Sequence, residues 1–330
     1  MFPLRHISNS KYTATILACL VMSAAHAQSP VPSYPSKTTR IVVGVSPGSA
    51  ADIPARAIGQ KLGEVFGQQF LIDNRPGAGG NIAAEFVAKS MPDGHTMLLG
   101  SIANAINTAL YSKLPFDFNR DFAPVILVAS AANLLVVHPS LPAHDVAGLI
   151  KLAKAQPGNL AYASVGTGTL PHLAGELFKS MAKIDIVHIP YKGGPQATTD
   201  LIGGQFPFMF GLSANVMPYV ATGRLRSLAI STSSRTAWLP DMPTVAESGL
   251  PGFEAITWWG FLFPANTPRA IVTRINAEVV KALLHPEVRQ HFSSQRIDGA
   301  GGTPEQFSEH IRRETGKWGA IIKETGARLD

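Results

Sequence analysis

The stretch ASVGTGTLPHLAGELF, residues 163–178, is a glycine-rich turn followed at once by an apolar run with helical spacing. A similar join occurs earlier, at VGVSPGSAADIPARAI, residues 43–58. Around both joins, β-branched runs alternate with amphipathic segments, which is typical of a parallel sheet covered by helices on both faces. The sequence therefore predicts an α/β fold.

The alternation of strand and helix patterns forms two blocks. In the first block, the predicted strands and helices alternate at 40–45, 52–67, 69–74, 81–90 and 96–101. In the second block, predicted helices lie at 145–156, 170–182 and 195–204, and predicted strands lie at 160–164, 185–190, 206–211 and 226–231. Two more helices are predicted at 268–285 and 304–325.

Two long apolar segments, 121–139 and 253–264, flank the second block. If both run between lobes, the chain leaves a first lobe, builds a second and returns. A chain of this length is also longer than a single hydrophobic core usually accommodates. We therefore expect one lobe at 37–128 plus 258–330 and a second lobe at 129–257.

The N-terminus has the pattern of a secretory signal peptide. Arg5 and Lys11 give a basic start, residues 13–25 form a short apolar run, and AHA at 25–27 offers the small residues that a signal peptidase accepts. We expect residues 1–27 to be cleaved and the mature protein to be exported.

The single cysteine, Cys19, lies inside this segment, so the mature chain would hold no thiol. Disulfides and thiolate catalysis are then excluded. The alternative is a lipoprotein signal in which Cys19 is lipidated. The Pro- and Ser-rich residues that follow, 28–36, are predicted to be a flexible leader.

Charge is mildly basic and spread along the chain. The formal net charge of +6 falls to +4 without residues 1–27, because these contain Arg5 and Lys11 and no acidic residue. No Lys/Arg run or basic–aromatic cluster is present, which argues against nucleic acid as a partner. A small positive field weakly favours an anionic small molecule.

The glycine-rich turns match no nucleotide-binding motif. Neither join has the lysine of a P-loop, GTGTLP at 166–171 ends in proline, and GAGGNI at 77–82 lacks the last glycine of the dinucleotide fingerprint. The sequence also has no H-x-x-x-H pair and no clustered carboxylates. We therefore predict no cofactor and no metal.

A serine hydrolase is the alternative from another class, because GVSPG at 44–48 matches the G-x-S-x-G elbow around Ser46. The elbow's oxyanion hole uses the N–H of the residue after the serine, and Pro47 has none. Ser164 and His172 are a second conceivable nucleophile–base pair. No acidic residue orients His172, however, since Glu176 lies one helical turn beyond it.

The remaining interpretation is that the turns bind an anion with their backbone. A helix start leaves about four N–H groups unpaired and carries a partial positive charge. SPGSAAD (46–52) and SVGTGT (164–169) add small residues and hydroxyl donors. Asp52 either caps its helix or accepts from a ligand. Two such turns, one in each lobe, predict a cleft that binds both ends of a small diacid.

Five blocks of the sequence, from about Tyr34 to the C-terminus, resemble the Bug family of periplasmic substrate-binding proteins of tripartite tricarboxylate transporters. The blocks are RPGAGGNIAAEFVAKSMPDGHTMLLG (75–100), YASVGTGTLPHLAGELFKS (162–180), HIPYKGGPQATTDLIGGQ (188–205), LPDMPTVAESGLPGFE (239–254) and GGTPEQFSEHIRRETGKWGAIIKETG (301–326).

The resemblance implies a two-lobed periplasmic binding protein of the Venus flytrap type, type II-like, with a carboxylate ligand between the lobes and no catalysis. It implies a large and a small integral-membrane partner and a periplasmic location, and we expect a monomer. A sensor subunit for a membrane signalling protein would use the same closed form and stays an alternative. The candidate ligand-binding residues are Ser46, Pro47, Gly48, Ser49, Ala50, Asp52, Ser101, Asn104, Ser164, Gly166, Thr167, Gly168, Thr169, His172 and Gly211.

This sequence departs from the family's pattern at two places. The first turn commonly reads P-x-G-G-x-x-D, and here Ser46 and Ser49 replace the Pro and a Gly. After FMF the family often has Asp or Asn, and here Gly211 and Leu212 follow. The missing acid would free volume, which favours an aromatic or bulkier carboxylate over an amino acid.

The sequence leaves the roles of three residues open. Trp258 and Trp259 either line the cleft or pack at a hinge, and Lys192 either balances ligand charge or covers a strand end. We expect Gly168→Val to weaken binding strongly, by placing a side chain where the ligand's oxygens lie, and to leave folding largely intact.

Overall fold

A computed structural model describes residues 34–329 of the chain. The predicted signal peptide, Cys19 and residues 28–33 of the predicted leader lie outside the described residues. None of the helices between residues 34 and 329 has the length and apolar character that crossing a membrane requires.

Ten strands and ten α-helices alternate along the described chain. The strands are β1 (Thr39–Val43), β2 (Phe70–Asn74), β3 (Thr96–Ser101), β4 (Phe122–Val137), β5 (Ala161–Ser164), β6 (Val187–Pro190), β7 (Phe208–Leu212), β8 (Arg226–Ile230), β9 (Ile256–Pro264) and β10 (Asp298–Gly301). The helices are α1 (Asp52–Phe66), α2 (Asn81–Ala88), α3 (Ile102–Leu110), α4 (Val146–Ala155), α5 (Leu170–Ala182), α6 (Gly194–Ile202), α7 (Ser213–Ala221), α8 (Arg269–Leu284), α9 (Pro286–Ser294) and α10 (Pro304–Thr325).

The strands form one continuous sheet with the order β2-β1-β3-β9-β4-β7-β5-β6, and β10 and β8 pair with β4 outside this path. Strands β1, β2 and β3 are parallel to one another, as are β5, β6 and β7. Each group of three parallel strands belongs to one lobe. Strands β4 and β9 are antiparallel and lie between the two groups.

The sixteen-residue strand β4 joins the two lobes by exchanging partners halfway along its length. It pairs with β9 as far as Ala132 and with β7 from Asn133 onward. A buried polar cluster holds this crossing: Asn133 Nδ2 donates to Ala255 O at 3.2 Å, and Ser231 Oγ donates to the same carbonyl at 2.7 Å. The cluster ties the ends of β8 and β9 to β4.

The pairing through β4 makes the two parallel groups run toward each other. Strand β3 ends at Ser101, beside Trp259 and level with Ala129 of β4. Strand β7 runs the opposite way and ends at Leu212, beside Asn133. The two ends are four residues apart along β4, about 13 Å at a strand rise of ~3.3 Å per residue. The carboxyl ends of both groups therefore face one gap, where ligands of α/β sheets bind.

Three groups of buried apolar side chains form the core. One packs between β1, β3 and α1, α8 in the first lobe, and one packs under α6 and α7 in the second. The third runs through both lobes, from Leu98 of β3 to Phe208 of β7, and contains Phe307 and Trp318 of α10. Helix α10 thus covers a core that the two lobes share.

The α/β fold predicted from the sequence is confirmed, and the predicted strands and helices agree with the structure to within a few residues. Helices α3, α7 and α9 and the short strand β10 were missed. Helices α3 and α7 follow strands β3 and β7 without an intervening turn. Such predictions locate the start of a helix from the turn residues before it. Where a helix follows a strand directly, this signal is missing.

The predicted leader is wrong for its last residues. Tyr34 is only 5 % exposed, its hydroxyl donates to Gly94 O at 2.7 Å, and its ring packs edge-on against Phe66 and His95. Proline and serine around it suggested an exposed segment, but one tyrosine anchors the chain to the first lobe before β1 begins.

Gly260 tests the close packing of β9 against α10. A Cβ on Gly260 would lie 2.2 Å from Phe307 Cζ and 2.7 Å from the Ile126 carbonyl oxygen, and backbone cannot yield cheaply. We expect Gly260→Ala to lower the free energy of unfolding by about 1–3 kcal/mol, as overpacking does. Urea unfolding followed by circular dichroism measures this.

Gly316 of α10 is the matched control, because a Cβ there meets no atom within 4 Å. Gly316→Ala should raise the free energy of unfolding by about 0.5–1 kcal/mol through helix propensity. Equal stability of the Gly260→Ala protein and the parent would show that β9 and α10 are not packed this closely.

Candidate functional site

The first turn, residues 46–51, is organised by Asp52. Asp52 is 3 % exposed, and its Oδ2 accepts from the Gly48 amide at 2.9 Å and from Arg56 Nε at 2.7 Å. Asn74 Nδ2 donates to Asp52 Oδ1 at 3.0 Å and to Val45 O at 3.0 Å. Burial alone would raise the pKa of Asp52, but these hydrogen bonds outweigh it and hold the pKa below the usual value.

Of the two roles that the sequence left open for Asp52, the structure favours the structural one. The carboxylate holds the turn by accepting three donors from the protein itself, and it is the first residue of α1 and not its N-cap. The Gly48 amide is used by this bond. The amides of Ala50 and Ala51 make no hydrogen bond within residues 34–329, so the turn still presents N–H groups.

A cavity of about 180 Å³ opens at the carboxyl ends of β1 and β3. It lies between the first turn, the start of α3 and the glycine turn 77–80, which packs against β1 so tightly that a Cβ on Gly44 would be 2.7 Å from Gly80 Cα. Its walls are formed by Val43, Gly44, Val45, Ala51, Gly77, Gly79, Gly80, Leu98, Leu99, Ser101, Ala103, Asn104 and Trp259.

Asn104 carries a side-chain donor at this cavity that has no hydrogen-bond partner within residues 34–329. Its Oδ1 accepts from the Ser101 amide at 2.9 Å and so caps α3. Its Nδ2 is buried beside Gly80 and makes no hydrogen bond within the described chain. A buried donor without a partner costs free energy that an acceptor would recover, so Asn104 is the best-marked candidate for a binding group here.

The glycine turn 77–80 lines the cavity, although the sequence did not predict it as part of the site. Asn107 Nδ2 donates to Gly79 O at 3.1 Å and to Asn81 Oδ1 at 2.8 Å. Helix α3 therefore caps itself with Asn104 and fixes the facing wall with Asn107. The G-A-G-G-N sequence was the available signal, because such a turn brings backbone close to a ligand.

The two tryptophans of β9 point to opposite faces of the sheet. Trp259 is buried and lines the cavity. Trp258 packs edge-on against Phe307 and His310 of α10, with ring centroids 5.8 and 5.1 Å away. Of the two roles considered, lining and packing, each tryptophan therefore has one. Lys192 is exposed, and the structure gives it no clear role.

The second turn, residues 164–169, lies at the end of β5. The sequence predicted that its backbone amides are free to bind an anion, and this is wrong for its two glycines. The Gly166 amide donates to Ser164 Oγ at 3.1 Å, and the Gly168 amide donates to His172 Nδ1 at 3.0 Å. Thr169 Oγ1 donates to Gly166 O at 2.7 Å. The amides of Val165 and Thr167 are the ones that make no hydrogen bond between residues 34 and 329.

The structure argues against the expectation that Gly168→Val leaves folding largely intact. A Cβ on Gly168 would lie 2.4 Å from Leu110 Cδ1 and 3.3 Å from Leu329 Cδ1, and the φ of +76° is one that side chains rarely adopt. The substitution would disturb the contact between the turn, the end of α3 and the C-terminal residues. Its effect on binding stays a prediction.

Gly211 frees no volume either, because a Cβ there would be 2.4 Å from Val216 Cγ1 of α7. The next residue, Leu212, is half-buried and packs across the gap against the core of the first lobe. Ser213 begins α7, is fully buried, and its Oγ makes no hydrogen bond within the described residues. These two residues, and not Gly211, mark the end of β7 at the cleft.

The cavity thus brings Ser101 and Asn104 together with the first turn's base. Its lining includes neither Gly211 nor any residue of the second turn, whose position on the opposite side of the gap follows from β5 and β7 being parallel. Ser46, Pro47 and Gly48 are exposed at the tip of the first turn.

The nucleophile–base pair considered for Ser164 has a different partner in the structure. Ser164 Oγ contacts His188 Nε2 at 2.7 Å, not His172. Ser164 is fully buried, and its hydroxyl donates to Gly166 O at 3.0 Å. Glu176 accepts from the Tyr162 hydroxyl at 2.6 Å. The arrangement holds a turn and does not present a nucleophile to a substrate.

His172 and His188 should make stability depend on pH. Burial lowers the pKa of each to about 4, and the neighbouring His172 adds to the shift at His188. The unfolded chain then binds more protons than the folded one below pH about 6.5, so the free energy of unfolding falls as pH drops from there toward 4.

Replacing both histidines with glutamine should flatten this fall, as measured by urea midpoints between pH 7 and pH 4.5. Some slope remains, because burial also lowers the pKa of His310. His144→Gln, at an exposed histidine, is the control and should leave the slope unchanged. A double variant with the parent's slope would contradict the neutral, buried state of the pair.

Comparison with known proteins places the chain in a family. Residues 54–327 match the family described as tripartite tricarboxylate transporter family receptor. A protein of Pseudomonas sp. (strain P51), named for the tcbD-tcbE intergenic region in which it is encoded, is 37 % identical over 322 residues, which cover 97 % of this chain and 96 % of the relative.

Solved structures agree with the fold. The R. palustris protein Rpa4515, determined with adipate, is 36 % identical with a TM-score of 0.76, over 90 % of this chain and all of the other. MatC from Rhodopseudomonas palustris, determined with bound malate, is 30 % identical with a TM-score of 0.73, over 88 % of this chain and all of the other. With two lobes, a cleft between facing strand ends and these relatives, the chain belongs to the tripartite tricarboxylate transporter receptor family.

Proposed function

We propose that the protein captures a small carboxylate, of the dicarboxylate or aromatic class, in the cleft between its lobes outside the cytoplasm. It then delivers this solute to the integral-membrane subunits of a tripartite tricarboxylate-type transporter. The observation that carries the proposal is Asn104 Nδ2, a buried and unpartnered donor in a cavity at the start of a helix.

The donors around the cavity suit a carboxylate without any charged side chain. Asn104 Nδ2 is joined by the free amides of Ala50 and Ala51 and by the first turn of α3, whose partial positive charge favours an anion. A carboxylate accepts several such bonds at once, and bonds to an ionised acceptor are about twice as strong as neutral ones.

The apolar groups near the donors support a ligand with a hydrocarbon body. Trp259 lines the cavity, and Leu212 reaches the first lobe from the end of β7. An acid in the place of Leu212 would accept from an amine or a hydroxyl, and leucine does neither. The adipate and malate that accompany two relatives are consistent with a dicarboxylate.

In this proposal the second carboxylate, or the far end of an aromatic acid, meets the second lobe. The proposed contacts there are the amides of Val165 and Thr167, the His172 ring and the buried Ser213 hydroxyl. The lobes are residues 37–128 plus 258–330 and residues 129–257. They close by bending β4 and β9 where β4 exchanges partners, which is hinge closure around a ligand.

A thermal-shift screen of the exported protein tests the ligand class. The panel contains adipate, malate, citrate, benzoate and matched amides that carry no charge. A ligand present at 100 times its Kd adds about 2.7 kcal/mol to the free energy of unfolding, so binders are visible. We expect at least one di- or aromatic carboxylate to raise Tm while its uncharged amide does not.

Asn104→Asp tests the donor itself. Aspartate keeps an oxygen for the Ser101 amide and so keeps the cap of α3, but it replaces the free N–H₂ with a second oxygen that repels a carboxylate. We expect affinity for the best binder of the panel to fall roughly 100-fold or more, the cost of a lost charge-assisted bond plus repulsion. Calorimetry measures this.

Asn159→Asp is the matched control, because Asn159 is exposed and precedes β5 at the end away from the cleft. It adds the same charge and should leave affinity unchanged. Wild-type affinity in the Asn104→Asp protein would refute the assignment of Asn104, and a panel without any binder would refute the ligand class.

A further inference from the structure

The second turn is held by a hydroxyl that makes three hydrogen bonds. Ser164 Oγ donates to Gly166 O at 3.0 Å, accepts from the Gly166 amide at 3.1 Å, and contacts His188 Nε2 at 2.7 Å. A serine hydroxyl has one proton and can also accept, so it forms the bond to His188 Nε2 with either neutral tautomer of the imidazole.

The other end of the turn depends on His172. Its Nδ1 accepts from the Gly168 amide at 3.0 Å, so the neutral ring carries its proton on Nε2. His172 Nε2–H is then a donor that no bond within residues 34–329 uses. The orientation of this ring decides both the position of Gly168 and the direction in which the donor points.

One residue outside the turn contacts both of these supports. His188 lies on β6, the strand that pairs with β5, and its ring stacks on His172 with a centroid distance of 4.0 Å. It also stacks on Tyr162 at 5.1 Å, and the Tyr162 hydroxyl donates to Glu176 Oε1 at 2.6 Å and lies 3.2 Å from His172 O. His188 thus contacts two rings that have hydrogen-bond partners of their own.

We propose that His188 is the positioning residue of the second turn: by its bond to Ser164 and its stack on His172, it sets which donors of the turn face the cleft. These donors are the Val165 and Thr167 amides and His172 Nε2–H. The inference rests on the proposed function for the solute, but the geometry of the turn is measurable without any ligand.

Two substitutions separate the two contacts of His188. Phenylalanine keeps a ring that stacks on His172 and removes the hydrogen-bond partner of Ser164. Glutamine keeps a hydrogen-bonding group near the position of Nε2 and removes the ring. Each variant is studied as the full exported protein, first without ligand and then with adipate as the probe.

In the ligand-free protein we expect His188→Phe to speed hydrogen exchange at the Gly166 and Gly168 amides about threefold to tenfold, the equivalent of one neutral hydrogen bond. Exchange at amides within α5 should not change, which separates a local effect from general destabilisation. Nitrogen NMR should show the proton of His172 on Nε2 in the parent protein. His188→Gln should restore the Gly166 exchange rate in part.

The affinity for adipate should fall about threefold to tenfold in His188→Phe and less in His188→Gln. His144→Gln, in the same lobe and exposed, should change neither exchange nor affinity.

Unchanged exchange at Gly166 and Gly168 in His188→Phe would overturn the positioning role, even with weaker adipate binding. Changed exchange with unchanged affinity would overturn its connection to the ligand. If the parent binds no carboxylate of the panel, the proposed function fails, and the exchange rates still decide whether His188 positions the turn.

Discussion

The pairing of β4 with β9 and then with β7 is the constraint on which the rest of the structure depends. Because β4 is one unbroken strand, the two groups of parallel strands must meet it from opposite directions, and their carboxyl ends must face the same gap. The cleft is therefore a consequence of strand direction. The buried contacts of Asn133, Ser231 and Ala255 fix the place at which the partners change.

Beside that gap, several backbone amides already donate hydrogen bonds to side chains of their own turns. Asp52 uses the Gly48 amide, Ser164 uses the Gly166 amide, and His172 uses the Gly168 amide. These hydrogen bonds leave fewer free N–H groups than a flexible glycine loop would have, and they fix the positions of the turns that carry them. A rigid set of donors loses little entropy when a ligand binds, which is how preorganisation raises affinity.

The sequence was sufficient for the fold and for the turns that follow the facing strand ends, but not for the hydrogen bonds and packing within those turns. Strand and helix periodicity placed most elements, and turn composition placed the two joins that face the gap. Whether Gly168 faces a ligand or Leu110 depends on contacts 58 residues apart, and the register of β6 against β5 decides that His188 rather than His172 reaches Ser164. Local patterns carry no information on such pairs.

A crystal structure of the protein with its tightest-binding carboxylate tests the account most directly. We expect one carboxylate oxygen within about 3.2 Å of Asn104 Nδ2, as a hydrogen bond requires, with the apolar part of the ligand against Trp259. A ligand bound away from the gap between the strand ends, with Asn104 Nδ2 still unpartnered, would contradict it.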